Sequence, residues 1–365
     1  MKKKNILFIG AFNKRNNKDL FGGQLFACKS ILESNLSKKN NFIKICSCQR
    51  SIPPPNILIR IYDSLIRLLT LLRILILNKI NIALIFTSDG LGFIEKGIMT
   101  VICKKFNVKT ILYPRSGLII NDVKNVRFKN FLKYVLENTN VLITQGKSWM
   151  NFYKGYNVKN IPIKIQQNWI DFNKYKIEKR EFDKNELNIL FLGWVDRNKG
   201  IFDLLLVFKK IVQKKINLKL NLLIAGKGRD FNLVKFKIEK YNLSKHVRLL
   251  GWVNQDKKLQ LLKKSDIYVC PSYFEGFPNS LLECMASGIP SISTNVGSIP
   301  DVILNGKNGF LYDPGNIYEL ESLIVSLLNN SKLRKKISVN CQNHIKNNNT
   351  IEVASTMLDE VFKKI

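Results

Sequence analysis

Short apolar runs recur along the chain with amphipathic stretches between them, and that rhythm restricts the fold more than any other feature. In the first half, Ile6–Ile9, Phe42–Cys46, Ile82–Phe86, Thr110–Tyr113, Val141–Thr144 and Ile161–Gln166 read as strands, with helical segments between them. The rhythm restarts at Leu187–Leu192, Leu218–Ala225, Val247–Gly251, Asp266–Pro271 and Ser291–Ser293. Alternating strand and helix is the pattern of a parallel sheet covered by its own crossover helices. A polar, charged stretch, Asn173–Glu186, separates the two halves and reads as a linker. At 365 residues the chain can bury two such cores.

The most informative stretch runs from Tyr273 to Pro290. It follows the apolar run Asp266–Pro271, a buried strand closed by proline. Pro278, Asn279 and Ser280 then signal a helix start, and Leu281, Leu282, Met285 and Ala286 supply an apolar face at helical spacing. Gly288 and Pro290 end that helix. Glu275 therefore sits in a loop beyond the carboxyl end of a strand, and Glu283 in the first or second turn of the next helix. In an open α/β sheet that crevice is where ligands bind. Backbone N–H groups from Phe277 to Leu281 would face a phosphate at the helix start. Two plainer readings stand beside this one. Ser280-Leu-Leu-Glu283 fits a capping box, in which Glu283 satisfies only a backbone N–H, and Glu275 fits a solvated loop acid.

Glu275-Gly-Phe-Pro-Asn-Ser-Leu-Leu-Glu283 resembles the E-x7-E segment of the family 4 retaining glycosyltransferases (glycosyl transferases group 1). The likeness continues through Ala286–Pro290, Thr294–Gly297 and Ile299–Asp301. The resemblance implies the α/β GT-B fold: two Rossmann-like parallel-sheet domains facing each other across a cleft. It divides the chain into an acceptor-binding domain at 1–170, a linker at 171–186 and a nucleotide-sugar-binding domain at 187–349. A last helix, 350–365, returns toward the first domain. Gln166–Asp171 resembles the family's Asn-Gly-x-Asp segment at the end of the first domain, with Trp169 in place of glycine.

Lys199 matches the family's phosphate-binding lysine in Gly-Arg-x-x-x-x-Lys-Gly. Trp194 replaces the arginine of that pattern, and Arg197 is placed either to supply the lost charge or to point to solvent. Gly22-Gly23, after the first strand, corresponds to the family's glycine-rich loop facing the donor phosphate or acceptor; taken alone, such a pair is a turn. Trp252-Val253 corresponds to the place where family members hold the base through backbone contacts, although by chemistry alone Trp252 reads as core. Family members often carry a histidine near Tyr113–Gly117; here the first half has none, and Arg115 stands at that place.

Charge narrows the partners. Lys and Arg number 59 against 27 Asp and Glu, a net +32. Residues 1–170 carry 28 against 7, net +21, so most of the excess lies in the first half. Such a surface suits phosphate-bearing substrates, anionic membrane or nucleic acid. Nucleic acid is disfavoured: the lysines are scattered, and no aromatic-interleaved basic platform is visible. Ile57–Leu77 is long enough to tempt a transmembrane reading. However, Arg60, Asp63, Arg67, Thr70 and Arg73 recur on one helical stripe, and charges at mid-bilayer depth are costly. An amphipathic helix is expected, either packed on a sheet with its arginines in water or lying on an anionic membrane with its apolar face down. The seven cysteines form no CxxC pair and only two histidines occur, so no metal site is visible. The thiols suit a reducing cytoplasm, and the short apolar run after Lys2–Lys4 reads as a first strand rather than a signal peptide.

The chemistry implied by the resemblance is sugar transfer from a nucleotide diphosphate, with no cofactor and no metal. Lys199, Arg197 and the helix start at Asn279–Leu281 would meet the leaving diphosphate. Gly276 and Phe277 would border the same phosphates. Glu283 would accept hydrogen bonds from the ribose, and Glu275 would contact the donor sugar on its reacting side. The acceptor side, basic and carrying the arginine helix, suits a lipid-linked glycan of bacterial surface-polysaccharide or lipopolysaccharide assembly. The enzyme is then expected on the inner face of the cytoplasmic membrane. A nucleotide-sugar epimerase or a glycogen-type enzyme of the same fold is the alternative, followed by a basic nucleic-acid-binding protein.

Overall fold

Central strands with apolar residues on both faces must be covered on both sides, and this dictates two helix-covered sheets. The computed structural model describes residues 3–12, 23–51, 55–157, 159–214 and 218–365. They fall into two units: unit 1 comprises Met1–Asn168 and Ile351–Ile365, and unit 2 comprises Trp169–Thr350.

Unit 1 is built on strands β1 (Asn5–Gly10), β2 (Asn41–Cys46), β3 (Ile82–Thr87), β4 (Lys109–Pro114), β5 (Val141–Thr144) and β6 (Ile163–Ile165). They pair in the order β2-β1-β3-β4-β5-β6, all parallel. Every residue of β3 is buried. The last strand is shorter than the apolar run Ile161–Gln166 because Pro162 has no N–H to donate to a ladder. The terminal helix Ile351–Lys364 belongs to this unit. Its residues Ala354, Leu358, Val361 and Phe362 are buried, Asp359 accepts from Lys39 Nζ at 3.0 Å, and Lys4 Nζ donates to the Phe362 carbonyl.

The helix Ile57–Leu77 meets the expectation of arginines in water at Arg73, which is exposed, and departs from it at Arg67. Asp63 and Arg67 of its polar stripe turn toward the body of unit 1, while Thr70 and Arg73 are exposed. Arg67 pairs with Glu95, and Asp63 pairs with Arg50. Glu95 also accepts from Lys96 Nζ at 2.7 Å, and Glu95 and Lys96 are both buried. Leu71 and Leu75 are buried in the core of unit 1, with Leu68 and Ile74 packed against it, while Leu58, Tyr62, Leu65, Leu69 and Ile76 face outward. The cause of the departure at Arg67 is the buried carboxylate on the neighbouring helix Gly90–Lys105, which demands cationic partners. No helix among the described residues is long and apolar enough to cross a membrane.

Unit 2 carries β7 (Glu186–Leu192), β8 (Lys219–Ala225), β9 (Val247–Gly251), β10 (Ile267–Cys270), β11 (Ser291–Thr294) and β12 (Phe310–Tyr312). The order is β12-β11-β10-β7-β8-β9, again parallel throughout. Chain order runs outward from β7 through β8 to β9, then restarts at β10 on the other side of β7. The carboxyl ends of β7 and β10 thus form a topological switch point, where neighbouring connections leave in opposite directions. The first and last segments of unit 2 are pinned together: Ile170 N donates to the Asn349 carbonyl at 2.9 Å, and Ile170 bridges Thr350 in parallel.

Candidate functional site

Three loops meet at the switch point of unit 2. The turn after β7, Gly193–Gly200, contains a short 3-10 segment, Arg197–Lys199, and feeds the helix Ile201–Gln213. The loop after β10 leads to the helix Asn279–Ala286. Gly200 has φ +65°, and a Cβ there would lie 1.9 Å from the Pro271 carbonyl oxygen. Gly297, after β11, has φ +57°, and a Cβ would lie 2.1 Å from the Glu275 oxygen. Both positions require glycine, because main chain passes directly against main chain. The contact is sealed by Tyr273 N donating to Asn198 O at 2.9 Å and Ser298 N donating to Gly276 O at 3.1 Å.

This approach sets Lys199 against Glu275. Lys199 Nζ donates to Glu275 Oε1 at 2.6 Å and to the Phe274 carbonyl at 3.4 Å. Ser272 Oγ donates to the same carboxylate oxygen at 2.9 Å. Both side chains of the pair are largely covered yet retain access, with relative exposures of 23% and 13%. Glu275 is therefore a held acid, not a solvated one. Cys270 lies beside it, but burial pushes its thiol up, so it stays protonated and weakly nucleophilic.

Glu283 is held separately. Its Oε1 accepts from Lys258 Nζ at 2.7 Å and from the Tyr175 hydroxyl at 2.9 Å, while Gln255 Nε2 donates to that hydroxyl at 3.2 Å. Burial, reinforced by the Glu283 carboxylate, raises the Tyr175 phenol well above its ordinary value, so it remains a donor. The capping-box reading is overturned. Pro278 occupies the N-cap with no side-chain cap hydrogen bond, and Ser280 Oγ instead pairs with the Tyr268 hydroxyl at 2.9 Å. The buried Tyr268 needed a partner more than the helix end did.

Trp194 and Trp252 are both half exposed and stand together, ring centroids 5.7 Å apart at 51°. Trp252 is thus not a core residue, whereas Val253 packs on the core of unit 2. Trp194, Asp196, Gly228 and Arg229 line an open depression of about 640 Å³. One carboxylate oxygen of Asp196, Oδ1, is buried there without a hydrogen-bond partner.

The remaining expected site residues are dispersed. Arg197 is exposed; its main-chain N–H donates to Asp230 Oδ2 at 2.7 Å, and no ion pair joins it to Glu275 among the described residues. Gly276 and Asn279 are partly exposed at the loop and helix start, while the side chains of Phe277 and Leu281 are core, so only their main chain could reach a ligand. Gly23 opens the helix Gly23–Glu33 of unit 1, and Gly22 lies outside the described residues. Arg115 lies over the Phe86 and Tyr113 rings, 5.3 and 4.8 Å from their centroids. Sequence reasoning missed Ser272, Tyr175, Lys258 and Asp196. The one available signal was that a partly buried acid needs donors. Among the described residues, no group of three His, Cys, Asp or Glu side chains is arranged to hold a metal.

The glycosyl transferases group 1 model matches residues 173–344, which include every element of this site. The match spans 172 of the 365 residues, and over it the chain is similar to the glycosyl transferases group 1. The chain is 29% identical over 266 residues to an uncharacterized glycosyltransferase of Methanocaldococcus jannaschii, covering 70% of this chain and 71% of the relative. To the capsular polysaccharide biosynthesis glycosyltransferase CapM of Staphylococcus aureus it is 24% identical, covering 69% of each. Its backbone resembles that of sucrose-phosphate synthase from Thermosynechococcus elongatus, with a TM-score of 0.77 at 15% identity over 99% of both chains. Anabaena HepE, solved in complex with UDP, gives 0.74 at 14% identity, covering 99% of this chain and all of that one. The chain has the GT-B architecture of two Rossmann-like parallel-sheet units.

Proposed function

We propose that this chain is a group 1 glycosyltransferase that moves a sugar, with retention of configuration and without a metal ion, from a nucleotide diphosphate sugar to a lipid-linked glycan. The pathway is bacterial surface-polysaccharide or lipopolysaccharide assembly at the inner face of the cytoplasmic membrane. The observation that carries the reading is the Lys199–Glu275 pair at the switch point. Breaking the bond between the sugar and the diphosphate puts negative charge on the leaving oxygen and positive charge on the sugar. Lys199 is placed to meet the first, together with the N-terminus of the helix Asn279–Ala286. Glu275 orients the sugar and meets the second. The acceptor hydroxyl attacks from the face the diphosphate leaves, and its proton passes to the departing phosphate oxygen. Glu283 keeps Oε2 for the ribose hydroxyls while Oε1 is occupied. Trp194 and Trp252 border the base. The UDP complex of HepE and the capsular role of CapM support the donor class and the pathway.

The test is nucleoside diphosphate release from UDP-, GDP-, ADP- and dTDP-sugars in the presence of a lipid-linked acceptor. The donor is identified first by thermal shift, since ligand at a hundredfold its Kd stabilises by about 2.7 kcal/mol. Glu275→Gln and Lys199→Ala should each lower kcat by about a hundredfold or more. Transfer at the parent rate in both variants would refute the mechanism.

A further inference from the structure

The outward side of the helix Ile57–Leu77 is the largest feature of unit 1 that sugar transfer does not explain. Leu58, Tyr62, Leu65, Leu69 and Ile76 fall at i, i+4, i+7, i+11 and i+18, one stripe about 27 Å long at about 1.5 Å per residue. Leu58, Leu69, Ile76 and Leu77 are 72%, 67%, 71% and 68% exposed. Ile57, Ile61 and Ile66 widen the stripe on either side. Its only charge is Arg73, which is exposed. The acid of this helix, Asp63, and its Arg67 are turned away from the stripe and paired with Arg50 and Glu95.

The helix thus carries hydrocarbon on two sides: Leu71 and Leu75 pack into unit 1 beside the paired Asp63 and Arg67, and a second apolar stripe is left facing outward. An exposed ridge of this size needs cover. A second copy would bring together two surfaces whose residues 1–170 each carry net +21, within a Debye length of about 10 Å. A bilayer interface accepts the ridge without that repulsion, and anionic headgroups complement Arg73 and the exposed Lys79.

We infer that this helix lies flat in the headgroup region of a bilayer with Leu58, Tyr62, Leu65, Leu69 and Ile76 among the acyl chains, so that apolar insertion rather than attraction between charges holds the enzyme on the membrane. The inference rests on the membrane-bound acceptor proposed above and adds the mode of contact. Two of the charges that would make the contact electrostatic, on Arg50 and Arg67, are already engaged within the protein.

The test is flotation of the full chain with phosphatidylcholine vesicles, with and without phosphatidylglycerol, at 0.1 and 0.5 M NaCl. Flotation with neutral vesicles that survives 0.5 M salt is expected. The Leu58→Glu/Leu65→Glu/Leu69→Glu variant should float at least tenfold less while keeping its far-UV circular dichroism, its melting temperature and its thermal shift with the donor. Binding only to anionic vesicles and lost at high salt would overturn the inference, as would no flotation at all. A dimer of the parent chain that becomes monomeric in the variant, without vesicle binding, would also overturn it. Failure of donor binding while flotation persists would instead strike the proposed transferase reaction.

Discussion

Lys258 and Tyr175 both spend their donors on a single oxygen of Glu283. Replacing Lys258 by Met leaves a largely covered carboxylate with only the phenol for support. The resulting disorder is paid equally by bound substrate and transition state, so KM for the donor should rise about tenfold with kcat changed less than threefold. Steady-state kinetics with varied donor separates the two. Gly200→Ala acts differently. A Cβ on a left-handed residue, 1.9 Å from the Pro271 oxygen, forces the β7 and β10 loops apart. The cost should exceed about 2 kcal/mol in urea unfolding, with loss of the Lys199–Glu275 contact. At this scale the sequence was legible where chemistry is written in one run. Glu275 and Glu283 lie eight positions apart, whereas Tyr175 lies 108 positions from the acid it serves. No local pattern connects such residues; only the closing of the sheet does.

Among whole elements, the strand rhythm was readable because burial on both faces leaves uninterrupted apolar runs. The facing of the helix Ile57–Leu77 was not. A helical wheel does not show that the domain takes Arg67 together with Leu71 and Leu75, and the place of Arg67 was set by Glu95 and Lys96 on another helix. Burial alone would raise the Glu95 carboxyl, but the charges and hydrogen bonds of Lys96 and Arg67 outweigh it and hold the group below its usual range. Because the folded value lies below the unfolded one of about 4.3, the stabilisation is fully present above that pH and is lost as pH falls through the lower folded value. Glu95→Gln should cost about 3 kcal/mol at pH 7, by leaving Lys96 and Arg67 without their anion. The difference between variant and parent should shrink below about pH 4. Thermal melts across that range decide it.

For the molecule as a whole, unit 1 is completed by a helix that follows all of unit 2 in the chain. Leu358, Val361 and Phe362 bury their side chains in unit 1, which stabilises it by about 5 kcal/mol. A chain cut after Thr350 should therefore unfold unit 1 at markedly lower urea concentration, followed by hydrogen exchange in β1 to β5. The division into two sheets was legible from the restart of the rhythm at Leu187, and the return of the last helix only from family likeness, since nothing in Ile351–Lys364 itself names its docking partner. That order has a consequence during synthesis. The ribosome must translate the 182 residues of Trp169–Thr350 between making the body of unit 1 and making its final helix. At about 5–20 residues per second the nascent first sheet waits on the order of 10 to 40 s with its Leu25 to Ile31 flank unsheathed, a window in which a chaperone has something to hold.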